Sequence, residues 1–181
     1  MLKRRILKEF VAKNGKPVIL RKPRWDDLDD LLDFINSLIE EGADIMLETP
    51  VTREEETDWL GKRLASIEKG EVIGIVAEVD GKAVANSEVG RRSGSMSHVG
   101  DLGIAVRKDY RRIGIGKKLM KTLIEESKKV GIKVLVLEVF GSNSAAKTLY
   151  TKMGFKDAGR LPKGVFRKGK YIDLLRMTLE L

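Results

Sequence analysis

Twelve residues in the middle of the chain carry the densest chemistry. Residues 106 to 117 read Val-Arg-Lys-Asp-Tyr-Arg-Arg-Ile-Gly-Ile-Gly-Lys. Gly114 and Gly116 remove side chains where a ligand could approach the backbone. A helix beginning at about Gly114 leaves its first amides without intrahelical partners, and its dipole favours negative charge there. Arg111, Arg112, Lys117 and Lys118 add positive charge beside those amides. The combination is a cradle for a diphosphate. Taken alone, the same residues also read as a glycine-containing helix start with solvated charges. A Walker loop is excluded, since no Gly-Lys-Ser/Thr with its upstream glycine is present. A dinucleotide fingerprint needs three glycines at another spacing and an acidic residue about 20 positions on, and it is excluded too.

Other chemistries are closed off by composition. The 181 residues contain no cysteine and one histidine, His98. Disulfides, thiolate catalysis, Cys-built zinc sites and multi-His metal sites are therefore excluded, and no metal is expected. Lys and Arg total 35 against 27 Asp and Glu, a net charge of +8. Such a balance favours polyanionic partners: nucleic acid or a phosphate-bearing cofactor. It also describes a Lys/Glu-rich surface of a heat-adapted protein. Aromatics are only 6% and the basic residues are spread along the chain, which argues against a nucleic-acid-binding module. Met1 to Lys13 lacks the features of a signal peptide, and no stretch approaches the roughly 18 apolar residues of a membrane span. A cytoplasmic protein without membrane association is expected.

The elements that must position the glycine turn follow from hydrophobic period. Residues 1–16 read as a basic extension to a single domain spanning 1–181. Val18 to Arg21 predicts a strand. Asp26 and Asp27 open a helix in which Leu28, Leu31, Leu32, Ile35, Leu38 and Ile39 recur at helical spacing, with Gly42 as its stop. Thr52-Arg-Glu-Glu55 is a capping box that starts a second helix carrying Trp59, Leu60, Leu64 and Ile67. Val72 to Val79, the Asp80-Gly81 turn and Lys82 to Gly90 form a hairpin. Val99 to Val106 predicts a strand, Gly114 to Val130 a helix, Val134 to Phe140 a strand and Ser144 to Met153 a short helix. Strands at about 155–160 and 170–179 close the chain. The order is β-α-α-β-β-β-α-β-α-β-β, an α/β (α+β) class with a mixed central sheet of about 6–7 strands and helices on both faces.

Arg111-Arg-Ile-Gly114-Ile-Gly116 resembles motif A of the GNAT superfamily of N-acetyltransferases, Arg/Gln-x-x-Gly-x-Gly/Ala. Residues 137 to 143, then Ala145-Ala146, Leu149-Tyr150 and Gly154-Phe155, are similar to its motif B, at matching spacing. Arg112 stands where relatives often carry Gly and Lys108 where Pro is common. The resemblance covers nearly the whole chain and extends to the ribosomal-protein and phosphinothricin acetyltransferase-like branches. It implies transfer of an acetyl group from acetyl-CoA to a primary amine by direct attack in a ternary complex. The pantetheine would lie along Ile104, Ala105 and Val106, between that strand and the strand at 134–140. The diphosphate would lie on the amides of Arg111, Arg112, Ile113, Gly114, Ile115, Gly116 and Lys117, and Asn143 would contact the cofactor.

The resemblance also implies Tyr150 as general acid and offers Glu138 or Glu88 as base. His98 and Asp101 compete for that role, histidine because its ordinary pKa suits the work. A carboxylate needs a raised pKa or a water chain to deprotonate an ammonium near neutral pH. Glu40, Glu41 and Glu48, on the acceptor side, could attract a cationic amine: a small-molecule amine, an amino-acid analogue, a polyamine or a protein N-terminus. A homodimer is left open. The competing reading is a catalytically silent domain that binds acyl-CoA as a sensor.

Overall fold

The computed structural model describes residues 5–181, which form one eight-stranded sheet flanked by four α-helices. The elements are β1 (Ile6–Val11), β2 (Pro17–Arg21), α1 (Leu28–Glu40), α2 (Arg53–Glu68), β3 (Val72–Val79) and β4 (Lys82–Arg91). They continue as β5 (Val99–Val106), α3 (Ile115–Lys129), β6 (Val134–Phe140), α4 (Ser144–Lys152), β7 (Lys156–Arg167) and β8 (Lys170–Glu180). The strand order is β1-β2-β3-β4-β5-β6-β8-β7. All neighbours are antiparallel except β5 and β6, so the sheet is mixed as expected.

The sheet is wider than the sequence reading by one strand. Residues 6–16, expected to be a basic extension, are the edge strand β1 and its turn, and only residues 1–4 lie outside the described part. β1 pairs with β2 through a tight reversal in which the Ala12 amide donates to Lys16 O at 2.8 Å and Gly15 takes φ +83°. Leu7 and Phe10 pack against the main core. Asn14-Gly15 is the hairpin signal that identifies this turn.

Helices cover the two faces unequally. α3 and α4 lie on one face, over a continuous core that includes Leu20, Ile75, Leu119, Leu123, Leu135, Leu137 and Tyr150. α1 and α2 lie on the other, over a small cluster of Leu31, Leu60, Val76 and Ala83. α2 starts as its capping box requires: Thr52 Oγ1 accepts from the Glu55 amide, and the Thr52 amide donates back to the Glu55 carboxylate at 2.8 Å. Burying Asp27 in front of α1 has a further purpose. Its carboxylate takes two hydrogen bonds from Arg21, at 2.8 and 2.6 Å, while Glu78 takes a third at 2.5 Å. Arg21 is fully buried and ties β2, β3 and the start of α1 together.

Candidate active site

The parallel seam is the feature that makes a site. β5 and β6 pair only over Val99–Asp101 and Val134–Val136. Beyond Asp101 the two strands part. β6 stays paired to β8 as far as Phe140, and β5 stays paired to β4 as far as Val106. A wedge therefore opens between residues 102–106 and 137–140.

The register decides which backbone groups face it. Arg92 N–H donates to Val99 O, and Arg107 N–H donates to Val84 O. In an antiparallel ladder those two bonds fix the alternation, so Ala105 exchanges both its bonds with Asn86, and Gly103 with Glu88. The N–H and C=O of Leu102, Ile104 and Val106 consequently point into the wedge. Of the three residues expected to hold a pantetheine arm, Ile104 and Val106 offer backbone groups to it. Ala105 offers its backbone to β4. Val106 O already accepts from Arg111 Nε at 2.8 Å, which leaves the Val106 N–H as the donor nearest the glycine turn.

At the wedge's mouth lies that turn. Arg111 N–H bonds Lys108 O, and the next amide of the segment to find a backbone acceptor is that of Lys118, on Gly114 O at 3.1 Å. Among the described residues, the amides of Arg112, Ile113, Gly114, Ile115, Gly116 and Lys117 have no backbone acceptor. Arg112 at φ +63° and Gly114 at φ +99° curl this run of N–H groups into a concavity. A Cβ at Gly114 would meet nothing within 4 Å, so the space above the turn is open. These features fit a diphosphate. The Arg111 guanidinium serves the frame: besides Val106 O, it bonds Glu41. Arg112 and Lys117 are exposed beside the free amides.

On the other wall, Asn143 caps α4, with Oδ1 accepting from Ala146 N–H at 3.0 Å. Its side-chain NH2 remains available as a donor. Tyr150, about two turns along the same helix, is 8% exposed and packs at 6.1 Å from the Phe155 ring. Burial pushes its phenol up to about 12. Its hydroxyl has no hydrogen-bond partner among the described residues, yet is not sealed off.

The proposed bases fall in one row. Alternation places Glu88, Gly103 and Glu138 on the α1/α2 face of β4, β5 and β6. Gly103 leaves a gap between the two carboxylates, which at ordinary strand spacing stand about 10 Å apart or more. Their surroundings differ. Glu138 is partly exposed and bonded by Arg176 at 2.7 Å. Glu88 is more deeply set, and burial raises its carboxyl above the usual range despite Arg63 Nε at 3.0 Å. Asp101 takes two bonds from Arg92, at 2.8 and 2.5 Å. His98 is exposed at the far end of β5, about 16 Å along the strand from Gly103.

Glu40, Glu41 and Glu48 line a hollow of about 330 Å³ together with Arg167 and Lys168. Glu41 is bonded by Arg111, and Glu48 lies 3.8 Å from Arg167, so these two are already matched with cations. A separate cleft of about 370 Å³ opens between α1 and α2 and reaches Asn86 on β4. Sequence reasoning overlooked Asn86, Arg63 and Glu56 around it. For Glu56 a signal existed: it falls three and four residues before Trp59 and Leu60, on the apolar stripe of α2.

Comparison with known proteins gives the family and the fold. Residues 34–155 match the profile of the acetyltransferase (GNAT) family. An L-methionine sulfoximine/L-methionine sulfone acetyltransferase of Pseudomonas paraeruginosa is 28% identical over 163 residues, covering 86% of this chain and 90% of that protein. The crystal structure of a ribosomal-protein-alanine N-acetyltransferase from Brucella melitensis superposes with a TM-score of 0.80 at 30% identity, over 90% of this chain and 99% of that one. A phosphinothricin acetyltransferase from Sinorhizobium meliloti, solved with acetyl-CoA, shares the fold with a TM-score of 0.80 at 20% identity, over 91% of this chain and 88% of that one.

Proposed function

Since the chain belongs to the acetyltransferase (GNAT) family and is an acetyl-CoA-dependent N-acetyltransferase, we propose that its wedge holds the acyl donor while an amine attacks directly from the α1/α2 face. Acetyl-CoA supplies the activated acyl group. Ile104 and Val106 would hold its pantetheine arm like an added strand, the free amides of residues 112–117 its diphosphate, and the Asn143 side-chain NH2 a point between them. The Val106 N–H is poised to donate to the acyl oxygen as that oxygen gains charge; losing such a donor costs about 3 kcal/mol.

Glu88 is the better base. Burial raises its carboxyl pKa even beside Arg63, which favours taking a proton, its row neighbour Gly103 leaves room for an amine, and Glu138 is the more exposed of the two. Tyr150 acts by donating a hydrogen bond to the departing sulfur. A phenol held near 12 cannot give its proton away completely to a thiolate whose acid has a pKa of about 8.5. The observation that carries the proposal is the unpaired β5 edge running into the free amides of the glycine turn.

The acceptor is a primary amine. The match over 86% of the chain to an L-methionine sulfoximine/L-methionine sulfone acetyltransferase supports an amino-acid-sized acceptor, and the ribosomal-protein-alanine neighbour supports a protein amine. Use of acetyl-CoA and a cysteine-free composition support a cytoplasmic setting. No helix among the described residues is long and apolar enough to cross a membrane.

Incubation with acetyl-CoA, an amine panel and a thiol reagent tests the reaction. Amine-dependent thiol release is expected, falling by about 10²–10³-fold in kcat in Tyr150→Phe. Tight acetyl-CoA binding with no amine-driven turnover would favour the silent sensor. Gly114→Glu sets a carboxylate and a side chain where the diphosphate should lie. Unchanged acetyl-CoA affinity in that variant, measured by calorimetry, would displace the cofactor from this turn.

A further inference from the structure

The cleft between α1 and α2 has an unusual floor. Leu31, Phe34, Val51 and Trp59 make its walls apolar, and its volume of about 370 Å³ falls in the range of small-molecule sites. The rim is fixed: Asn36 donates from its amide to Val51 O at 2.9 Å and accepts the Val51 N–H at 2.8 Å. Every charged residue lining it is acidic, namely Glu55 and Glu56. The Glu55 carboxylate is occupied by the Thr52 amide and hydroxyl, at 2.8 and 2.9 Å.

Glu56 is different. It is 5% exposed, yet among the described residues no hydrogen bond or ion pair reaches its carboxylate. The arginines of α2 are engaged elsewhere: Arg53, three residues before Glu56, bonds Asp29, Arg63 is held at Glu88 and over the Trp59 ring, and neither lines the cleft. The Glu56 carboxylate oxygens are not sealed off and open onto the cleft, while the burial of the rest of the side chain raises its pKa. Packing alone gives no reason for a carboxylate here; an arriving cation would.

Position completes the picture. The cleft ends at Asn86, whose backbone is bonded to Ala105, and Glu88 follows two residues later on the same face. Glu88 itself does not line the cleft; a molecule lying there against Glu56 would have to extend past Asn86 by about 7 Å along β4 to reach the proposed base. We infer that the cleft selects the acceptor: an amine with an apolar body and a second, distal cationic group, which pairs with Glu56 while the reacting amine meets Glu88. This deepens the reading above and rests on its placement of the acceptor on the α1/α2 face.

The test compares linear alkylamines with diamines and agmatine of matched length, on the full chain with saturating acetyl-CoA. The parent should favour the dicationic acceptors by roughly ten- to hundredfold in kcat/KM, mainly through KM. Glu56→Gln should erase that preference, and Glu56→Asp should retain part of it. A preference that survives Glu56→Gln, or a parent that favours monoamines, overturns the inference. A second readout needs no turnover. In a Trp25→Phe background Trp59 is the one remaining tryptophan, and diamine titration should change its fluorescence. The same titration curve in parent and Glu56→Gln refutes the role of Glu56. Diamine binding that depends on Glu56, with no acetylation of any amine, leaves the cleft standing and removes the catalytic reading instead. Replacing an unpaired buried carboxylate by an amide should hold or raise the melting temperature, so loss of preference will not stem from unfolding.

Discussion

The two faces of the sheet use their residues in opposite ways. Under α3 and α4 the side chains form one continuous apolar core, and the chemistry is left to backbone groups at the edges: the unpaired strand edge and the curled amides of the glycine turn. Under α1 and α2 the apolar cluster is small, and buried or half-buried charges take its place: Arg21 with Asp27 and Glu78, Arg63 with Glu88, and the solitary Glu56. The difference separates two tasks. A cofactor that is always the same can be gripped by main chain, which any sequence supplies. An acceptor must be chosen and deprotonated, and that needs particular side chains.

If the charged face does the chemistry, the largest effect should come from Glu88→Gln. We expect kcat/KM to drop by about 10²–10⁴-fold with the acetyl-CoA dissociation constant unchanged. The parent's rate should rise with pH through a midpoint above the ordinary glutamate value of about 4.3, because the base works only when ionised and burial raises its pKa. That limb should vanish in the variant; its persistence would assign the base elsewhere. Next comes Asp27→Ala, which removes two hydrogen bonds from the buried Arg21. Denaturant unfolding should show a loss of about 3 kcal/mol, at the low end for a broken buried pair since Glu78 still faces the guanidinium. A loss near zero would make this charged cluster ornamental and weaken the contrast between the faces. The smallest effect belongs to the backbone side. Arg112 holds φ +63° without being glycine. Arg112→Gly relieves that strain while loosening the unfolded chain, so stability should move by less than about 1 kcal/mol. Acetyl-CoA binding should survive, because the amides remain. Loss of binding would show that the guanidinium, rather than the main chain, holds the phosphates.

Legibility in the sequence followed the range of the interaction. The Thr52 capping box and the Gly114 turn are local, and each is readable from neighbours a few positions apart; the Asn143 cap is as local, yet the sequence reading gives that residue only as a cofactor contact. The edge strand β1 was missed even though Asn14-Gly15 marks its turn, because its basic residues drew the reading toward a solvated tail. Assignments that depend on pairing were out of reach. Whether Ala105 or Val106 donates into the wedge is set by bonds to Val84 and Arg92 on another strand. Glu88 and Glu138 looked equivalent until Arg63 and Arg176 arrived from distant elements. Glu56 reads as one more acid in a helix's first turn, where negative charge is ordinarily favourable, and its place on the stripe of Trp59 and Leu60 is the one local hint that packing buries it.

The short contact between β5 and β6 carries a dynamic consequence. Three residue pairs join a five-strand plate to a three-strand plate, and the connection gives out partway along. Amide exchange along β5 should alternate. Gly103 and Ala105 should be slow, since both are locked to β4, while Ile104 and Val106, one step away, exchange fast. Filling the gap should slow the fast pair and flatten the alternation, making the strand its own gauge of how closely the two plates are bridged.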